Sequence, residues 1–164
     1  FLVKAFIVIL FNNLGGIMDD LDKRIIEELN KDSRLSFREL SKNLNIAVGT
    51  ISHRIKKMEE DGVIKGYIPV VEPSKVGYDF IAVINVTIKR GKLQDVASLL
   101  DKFNNIVSIY NVTGNYDAVI IARFKNRGQL NNFVKELQTF ENVDKTNTSL
   151  VLNTIKEDIR VKFD

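Results

Sequence analysis

The stretch Leu35–Lys57 constrains the fold more than any other part of the chain. Its apolar spacing fits two short helices joined by a tight turn. Ser36 with Glu39 three residues on has the capping-box pattern, in which each side chain satisfies the other's backbone N–H. A helix is therefore predicted over Phe37–Leu44, ended by Asn45. A second is predicted from about Val48 to Asp61, with Gly62 just past its end. On this second helix Ile51, Ile55 and Met58 fall at i, i+4 and i+7 and make one apolar stripe. The opposite face carries Thr50, His53, Arg54 and Lys57, with no acid. A helix of this kind, held on a preceding helix by a turn of about four residues, has the geometry that places side chains in the DNA major groove.

Charge supports this locally. From Ser33 to Lys57 the basic residues are Arg34, Arg38, Lys42, Arg54, Lys56 and Lys57, and the one acid is Glu39. The flanking segments are acidic: Asp19, Asp20, Asp22, Glu27 and Glu28 before, and Glu59, Glu60 and Asp61 after. The net charge is only +3, so segregation carries the argument, because phosphate neutralisation needs cations on one face. A solvated basic helix face is the plainer alternative.

The chain has no cysteine, which excludes disulfides, thiolate metal sites and cysteine nucleophiles. Its single histidine, His53, excludes a multi-histidine metal site within one subunit, and no P-loop or dinucleotide-type glycine pattern is present. No metal and no cofactor is expected.

Residues 1–17 hold an apolar run to Phe11, about half of what a membrane span needs. Met18 precedes a well-formed helix and is the expected natural start, the alternative being a real N-terminal strand. Asp19–Asn30 is predicted helical, with Leu21, Ile25, Ile26 and Leu29 inward. Residues 18–66 thus form a trihelical domain, with Val63–Tyr67 as a short strand or wing. Both prolines, Pro69 and Pro73, fall within a linker strand over residues 67–78. Residues 79–164 change character. Strands are predicted at Phe80–Lys89, Val107–Val112, Ala118–Phe124 and Val143–Ile155, with helices at Leu93–Phe103 and Leu130–Leu137. This β-α-β-β-α-β order is the ferredoxin-like split unit, one antiparallel sheet with helices on one face, so the fold class is α+β. The strands are too continuously apolar for a solvated second face, which is expected to be buried against another subunit.

A trihelical unit, an extended linker and a β-α-β-β-α-β domain in this order resemble the Lrp/AsnC, or feast/famine, family of transcriptional regulators. The residues that carry the resemblance are Leu21–Ile26, Asn45–Ile55, Gly62–Tyr67, Val112–Asp117 and Thr146–Ser149. It implies a cytoplasmic regulator of transcription that binds double-stranded DNA. It also implies homodimers paired through the C-terminal sheets, often octamers, and an amino acid or related metabolite as effector at contacts between dimers. For DNA it offers Thr50, Ser52, His53, Arg54 and Lys57, beside Arg38 and Lys56 of the basic segment. Arg54 is the expected base or phosphate contact, since its fork can bridge guanine O6 and N7. Lys56 and Lys57 are expected on phosphate. Ala47 stands where the family often has a capping serine, and alanine caps poorly. The effector loop maps to Thr113, Gly114, Asn115, Tyr116 and Asp117. Gly114 permits a turn whose N–H groups receive a carboxylate, and Asp117 can receive an ammonium. The alternative for this loop is a hairpin turn whose Asn and Asp bond their own backbone. Thr146, Thr148 and Ser149 are further candidates for the same pocket.

Two other functions fit the layout. Some relatives resembling it are decarboxylases acting on sirohaem, but these need histidines and basic residues in the C-terminal domain, where this chain has no histidine. A nonspecific DNA compactor would bind any duplex alike with a steep salt dependence.

Overall fold

The computed structural model describes residues 18–89 and 92–164. The expected N-terminal strand alternative lies outside the described residues. The chain forms two compact units, one holding residues up to Pro69 together with Asp158–Asp164, the other Val70–Glu157.

The first unit is trihelical: α1 Asp20–Lys31, α2 Phe37–Leu44 and α3 Val48–Glu60. Asp19 caps α1 by accepting from the N–H groups of Leu21 and Asp22, both at 3.0 Å, and Asp22 completes a capping box. Ser36 and Glu39 make the same device on α2, with Ser36 N–H donating to Glu39 Oε2 at 2.7 Å. Asn45 ends α2 in the left-handed region at φ 56°, a conformation asparagine tolerates better than most residues. Ile25, Leu40, Ile51, Ile55 and Met58 close the core, so the predicted stripe of α3 faces inward. Arg24 donates to the Leu44 carbonyl at 3.3 Å and Asn43 to Glu28 Oε2 at 2.8 Å, tying α1 to α2. Gly62 follows α3 at φ 70°, and Ile64 N–H donates back to the Met58 carbonyl at 3.0 Å. Val63–Tyr67, expected as a short strand or wing, carries no strand, and Ile64 turns into the helical core. The C-terminal segment, expected with the second domain, lies with α1: Asn30 Nδ2 donates to the Val161 carbonyl at 2.9 Å.

The linker also departs from expectation. It is extended without a ladder and then makes one 3₁₀ turn, Pro73–Val76. Prolines withhold the donors a strand needs, and Pro73 suits the first position of a turn. Glu72 accepts from the Ser74 hydroxyl at 2.8 Å and fixes the turn's start.

The second unit has the predicted order: β1 Phe80–Ile88, α4 Leu93–Leu100, β2 Ile106–Asn111, β3 Ala118–Phe124, α5 Arg127–Gln138 and β4 Val143–Leu150. The sheet order is β2-β3-β1-β4, antiparallel throughout. Along the two central strands, Ala82, Ile84, Val86 and Ile88 alternate with half-buried neighbours, as do Ala118, Ile120, Ala122 and Phe124. The buried set packs against Val96, Leu100, Phe133 and Leu137 of α4 and α5. The opposite face presents Ile81, Val83, Val119 and Ile121 with Asn85, Thr87 and Arg123, all half-buried. β4 stops at Leu150 rather than Ile155: its last pairing is with Ala82 of β1, and Val151 N–H makes one further bond to the Ile81 carbonyl at 2.8 Å. α5 starts three residues before the predicted Leu130, since Asn126 accepts from Gln129 N–H at 2.9 Å and caps it.

Candidate DNA interface and effector site

The turn between α2 and α3 holds the candidate DNA surface. Ile46 N–H donates to the Ser41 carbonyl at 3.1 Å, and Ser41 Oγ returns a bond to the Ile46 carbonyl, so the turn is pinned from both sides. α3 follows the cap residue Ala47, whose side chain accepts nothing. Thr50, His53, Lys56 and Lys57 are exposed, as is Arg38 on α2. Ser52 is half-buried and lies off the Thr50–His53–Lys57 line, because a residue two along a helix points about 200° away. Lys56 reaches Glu60 at 3.6 Å, an exposed pair that leaves it close to solvent.

Arg54 is engaged elsewhere. Its Nη1 donates to Asp19 Oδ2 at 2.6 Å and lies 3.3 Å from Asp22 Oδ2. Asp22 is only 8% exposed and is the one buried charged residue among the described residues. The Asp22 N–H, and after it the Arg54 guanidinium, hold the Asp19 carboxyl below its ordinary range, and the acids raise Arg54 in turn. The sequence carried this signal. At about 100° per residue Arg54 points only about 40° from Met58, at the edge of the buried stripe rather than the centre of the polar face.

The candidate effector residues are spread by the sheet. The loop 113–117 joins β2 to β3, with Gly114 at φ 113° and open space where a Cβ would stand. Asp117 Oδ2 accepts from the Ile88 N–H at 2.7 Å, and Asp117 N–H donates to the Val86 carbonyl at 2.9 Å. Its carboxylate thus ties the loop to β1 rather than to the loop's own backbone. Thr113, Gly114 and Asn115 are exposed and Tyr116 half-buried. Thr146 pairs with Val86, beside Ala118 at the loop's end, and its hydroxyl meets Gln138 Nε2 at 3.0 Å. Thr148 shares the Thr146 face, whereas Ser149 pairs with Val83 and points to the other side. Ser149 also lies three rows from the loop, about 10 Å along the strand. Thr146 is therefore the β4 candidate the register brings nearest the loop.

A feature not anticipated from sequence is a cavity of about 210 Å³ lined by Val71, Pro73, Val76, Tyr78, Asn105, Val107 and Arg123. Arg123 Nε and Asn105 Nδ2 are buried there without a hydrogen-bond partner, although Arg123 Nη2 holds Glu157 at 2.8 Å. Among the described residues no group of three His, Cys, Asp or Glu side chains could hold a metal ion, and no helix is long and apolar enough to cross a membrane.

Comparison with known proteins decides the family. Residues 18–65 match a winged helix-turn-helix DNA-binding domain, and residues 81–161 match the Lrp/AsnC ligand binding domain. An uncharacterised HTH-type transcriptional regulator of Pyrococcus abyssi is 44% identical over 146 residues, covering 89% of this chain and 99% of that protein. The chain belongs to the Lrp/AsnC family. The HTH-type transcriptional regulator FL11 of Pyrococcus furiosus is 46% identical over 144 residues, covering 88% of this chain and 95% of that protein. The crystal structure of the Neisseria meningitidis transcriptional regulator NMB0573 in complex with L-Met superposes with a TM-score of 0.82 at 26% identity, covering 88% of this chain and 96% of that one. This Lrp/AsnC protein is a DNA-binding transcriptional regulator of helix-turn-helix type carrying a ligand-binding domain.

Proposed function

We propose that the protein is a cytoplasmic, sequence-specific regulator that binds DNA as a dimer or higher homo-oligomer and answers to an amino acid or related metabolite. The observation that carries the reading is the exposed face of α3. Thr50, His53 and Lys57 stand in one exposed line, with the acid Glu60 one turn beyond Lys57, on a helix whose opposite side is buried, with Ile51, Ile55 and Met58 only 0–3% exposed. Hydroxyl, imidazole and ammonium groups so placed can bond base edges and phosphates in one groove. Two such helices in a two-fold dimer address half-sites about one helical turn apart.

The dimer is supported by the sheet face opposite α4 and α5. Ile81, Val83, Val119 and Ile121 stay half-buried there, flanked by Val107 and Tyr110 at 47% and 55% exposure. A contiguous apolar face of this kind favours a second copy of the sheet. The amino-acid effector is supported by the exposed Gly114 turn and by the L-Met complex of the Neisseria regulator. With Asp117 spent on β1, an incoming ammonium needs other acceptors, which loop carbonyls can offer.

The test is selection of duplexes from a randomised pool, followed by light scattering and DNA titration with each of the common amino acids. One enriched palindromic motif, bound by a dimer or multiple of dimers and modulated by at least one amino acid, supports the proposal. A monomer that binds every duplex alike would leave the compactor as the reading.

A further inference from the structure

We propose that Arg54 is a positioning residue: it sets the angle of the DNA-reading helix by clamping α3 to the start of α1 through Asp19 and Asp22, and it reads no base. The inference rests on α3 being the reading helix. A single guanidinium nitrogen, Nη1, serves both acids, at 2.6 Å to Asp19 Oδ2 and 3.3 Å to Asp22 Oδ2. These two carboxylates are the capping box of α1: Asp19 accepts from Leu21 and Asp22 N–H, and Asp22 Oδ2 accepts from Asp19 N–H at 3.2 Å. The clamp therefore joins the middle of α3 to a helix start whose own geometry is fixed by backbone bonds.

Burial makes the clamp hard to release. The Asp22 side chain is 12% exposed and the Arg54 side chain 31%. For Arg54 to swing toward a guanine it must abandon a buried carboxylate, which then loses its cationic partner away from water. Among the described residues Thr50, His53 and Lys57 have no such tie, so they meet bases and phosphate while Arg54 fixes the helix that carries them. A reading helix displaced by about 1 Å weakens its base and phosphate contacts, because hydrogen bonds weaken steeply with distance and angle.

The sign of an acid's removal separates the two roles. Neutralising an acid near a DNA surface strengthens binding if only charge matters, and frees Arg54 if it is a base reader held back. It weakens binding if the clamp positions the helix. The experiment takes the duplex that the wild-type chain enriches from a randomised pool, and a mixed-sequence duplex of equal length. Both are titrated with wild type, D22N, D19N, R54A, R54K and the double variant D22N/R54A, at several salt concentrations. Thr50→Ala and His53→Ala serve as controls for the helix itself, and circular dichroism checks the fold.

D22N and R54A should each weaken the enriched duplex by about 10–100-fold, the range spanned by losing a hydrogen bond to a charged group. The double variant should be no weaker than the worse single, and R54K should recover part of the loss. Re-selection with R54A should return the same preferred bases, and the salt slope should be unchanged. Where R54A fails to fold, the isosteric D22N and D19N carry the test alone. Tighter binding by D22N overturns the inference. So does loss of preference at one base pair in R54A, or a salt slope lower by about 0.9, the mark of one lost phosphate contact. If Thr50→Ala and His53→Ala change nothing, the reading-helix account itself falls, and this inference with it.

Discussion

Substitution of Ala47 by serine should stabilise the helix-turn-helix unit. The three helices of that unit start differently. Asp19 gives α1 two acceptor contacts, and Ser36 gives α2 one, from Glu39 N–H at 3.3 Å. Ala47 gives α3 none, leaving the N–H groups of Val48, Gly49 and Thr50 without a side-chain acceptor from the cap. The backbone at Ala47, φ −57° and ψ 138°, lies near that of Ser36 at −70° and 159°, so a hydroxyl can be added without moving the chain. The residue three past the cap is Thr50, not an acid, so the gain is one bond rather than a reciprocal box. A cap of this kind contributes about 1 kcal/mol. In a domain of under 100 residues that raises the melting temperature by roughly 4–8 °C. The assay is amide hydrogen exchange at Gly49 and Thr50 together with thermal melting of the full chain. S36A, which should move melting the other way by a similar amount, is the internal calibration. Unchanged exchange at both amides and unchanged melting in A47S, with the expected fall in S36A, would refute the argument.

Further perturbations test other parts of the structure. Ile120→Ala, at a site with no exposure in the sheet core, should cost about 2–5 kcal/mol in urea unfolding of the second unit. Asp117→Ala should cost about 1–3 kcal/mol by orphaning the Ile88 N–H, whereas Asp117→Asn, which keeps an acceptor oxygen, should cost less; equal losses would show that charge matters there instead. Gly114→Ala meets no neighbouring atom, so any loss must come from the strained φ of 113°, about 1 kcal/mol or somewhat more, read as the same unfolding shift. In acid, the carboxyls of Asp19, Glu28, Asp32 and Glu39 are held low by bonds from Asp22 N–H, Lys31, Arg34 and Ser36 respectively, Asp32 down to about 2. Their folded values lie below the unfolded ones, so their stabilisation is complete above about pH 4.5 and is lost as pH falls through the folded values. The first unit's melting temperature should therefore hold from pH 7 to about 5 and fall between about pH 4 and 2; a flat profile to pH 2 would contradict these contacts.

Much of the fold was legible because the sequence used strong local devices. The Ser36–Glu39 box, Asn45 at the end of α2, Gly62 after α3 and the continuous apolar, β-branched runs of β1 and β3 each fix structure within a few residues. What escaped depended on distant partners. The Val63–Tyr67 wing and the 67–78 strand looked extended, but whether an extended segment becomes a strand depends on an available edge, which local pattern does not reveal. β4 was drawn too long for the same reason, since its end is set by where its pairing with β1 stops, at Ala82. The start of α5 was missed although Asn126 and Gln129 have cap spacing; the apolar face beginning at Leu130 drew the boundary instead. At the DNA face, Arg54 was grouped with Thr50, His53 and Lys57 although its wheel position borders the buried stripe; the identity of its partners, Asp19 and Asp22, came from the packing of α1. At the effector loop, Asp117 had the right chemistry for an ammonium, and its bond to Ile88 arises from a strand pairing between residues far apart in sequence.

The central claim is that the exposed face of α3 recognises a defined DNA sequence. The most direct measurement is sequencing of duplexes enriched from a randomised pool by the full-length wild type and by a variant carrying Thr50→Ala and His53→Ala, at two salt concentrations. The account predicts a palindromic motif with half-sites about one helical turn apart, retained at the higher salt by wild type and degraded in the variant. Enrichment of no motif, or the same motif undiminished in the variant, would contradict it.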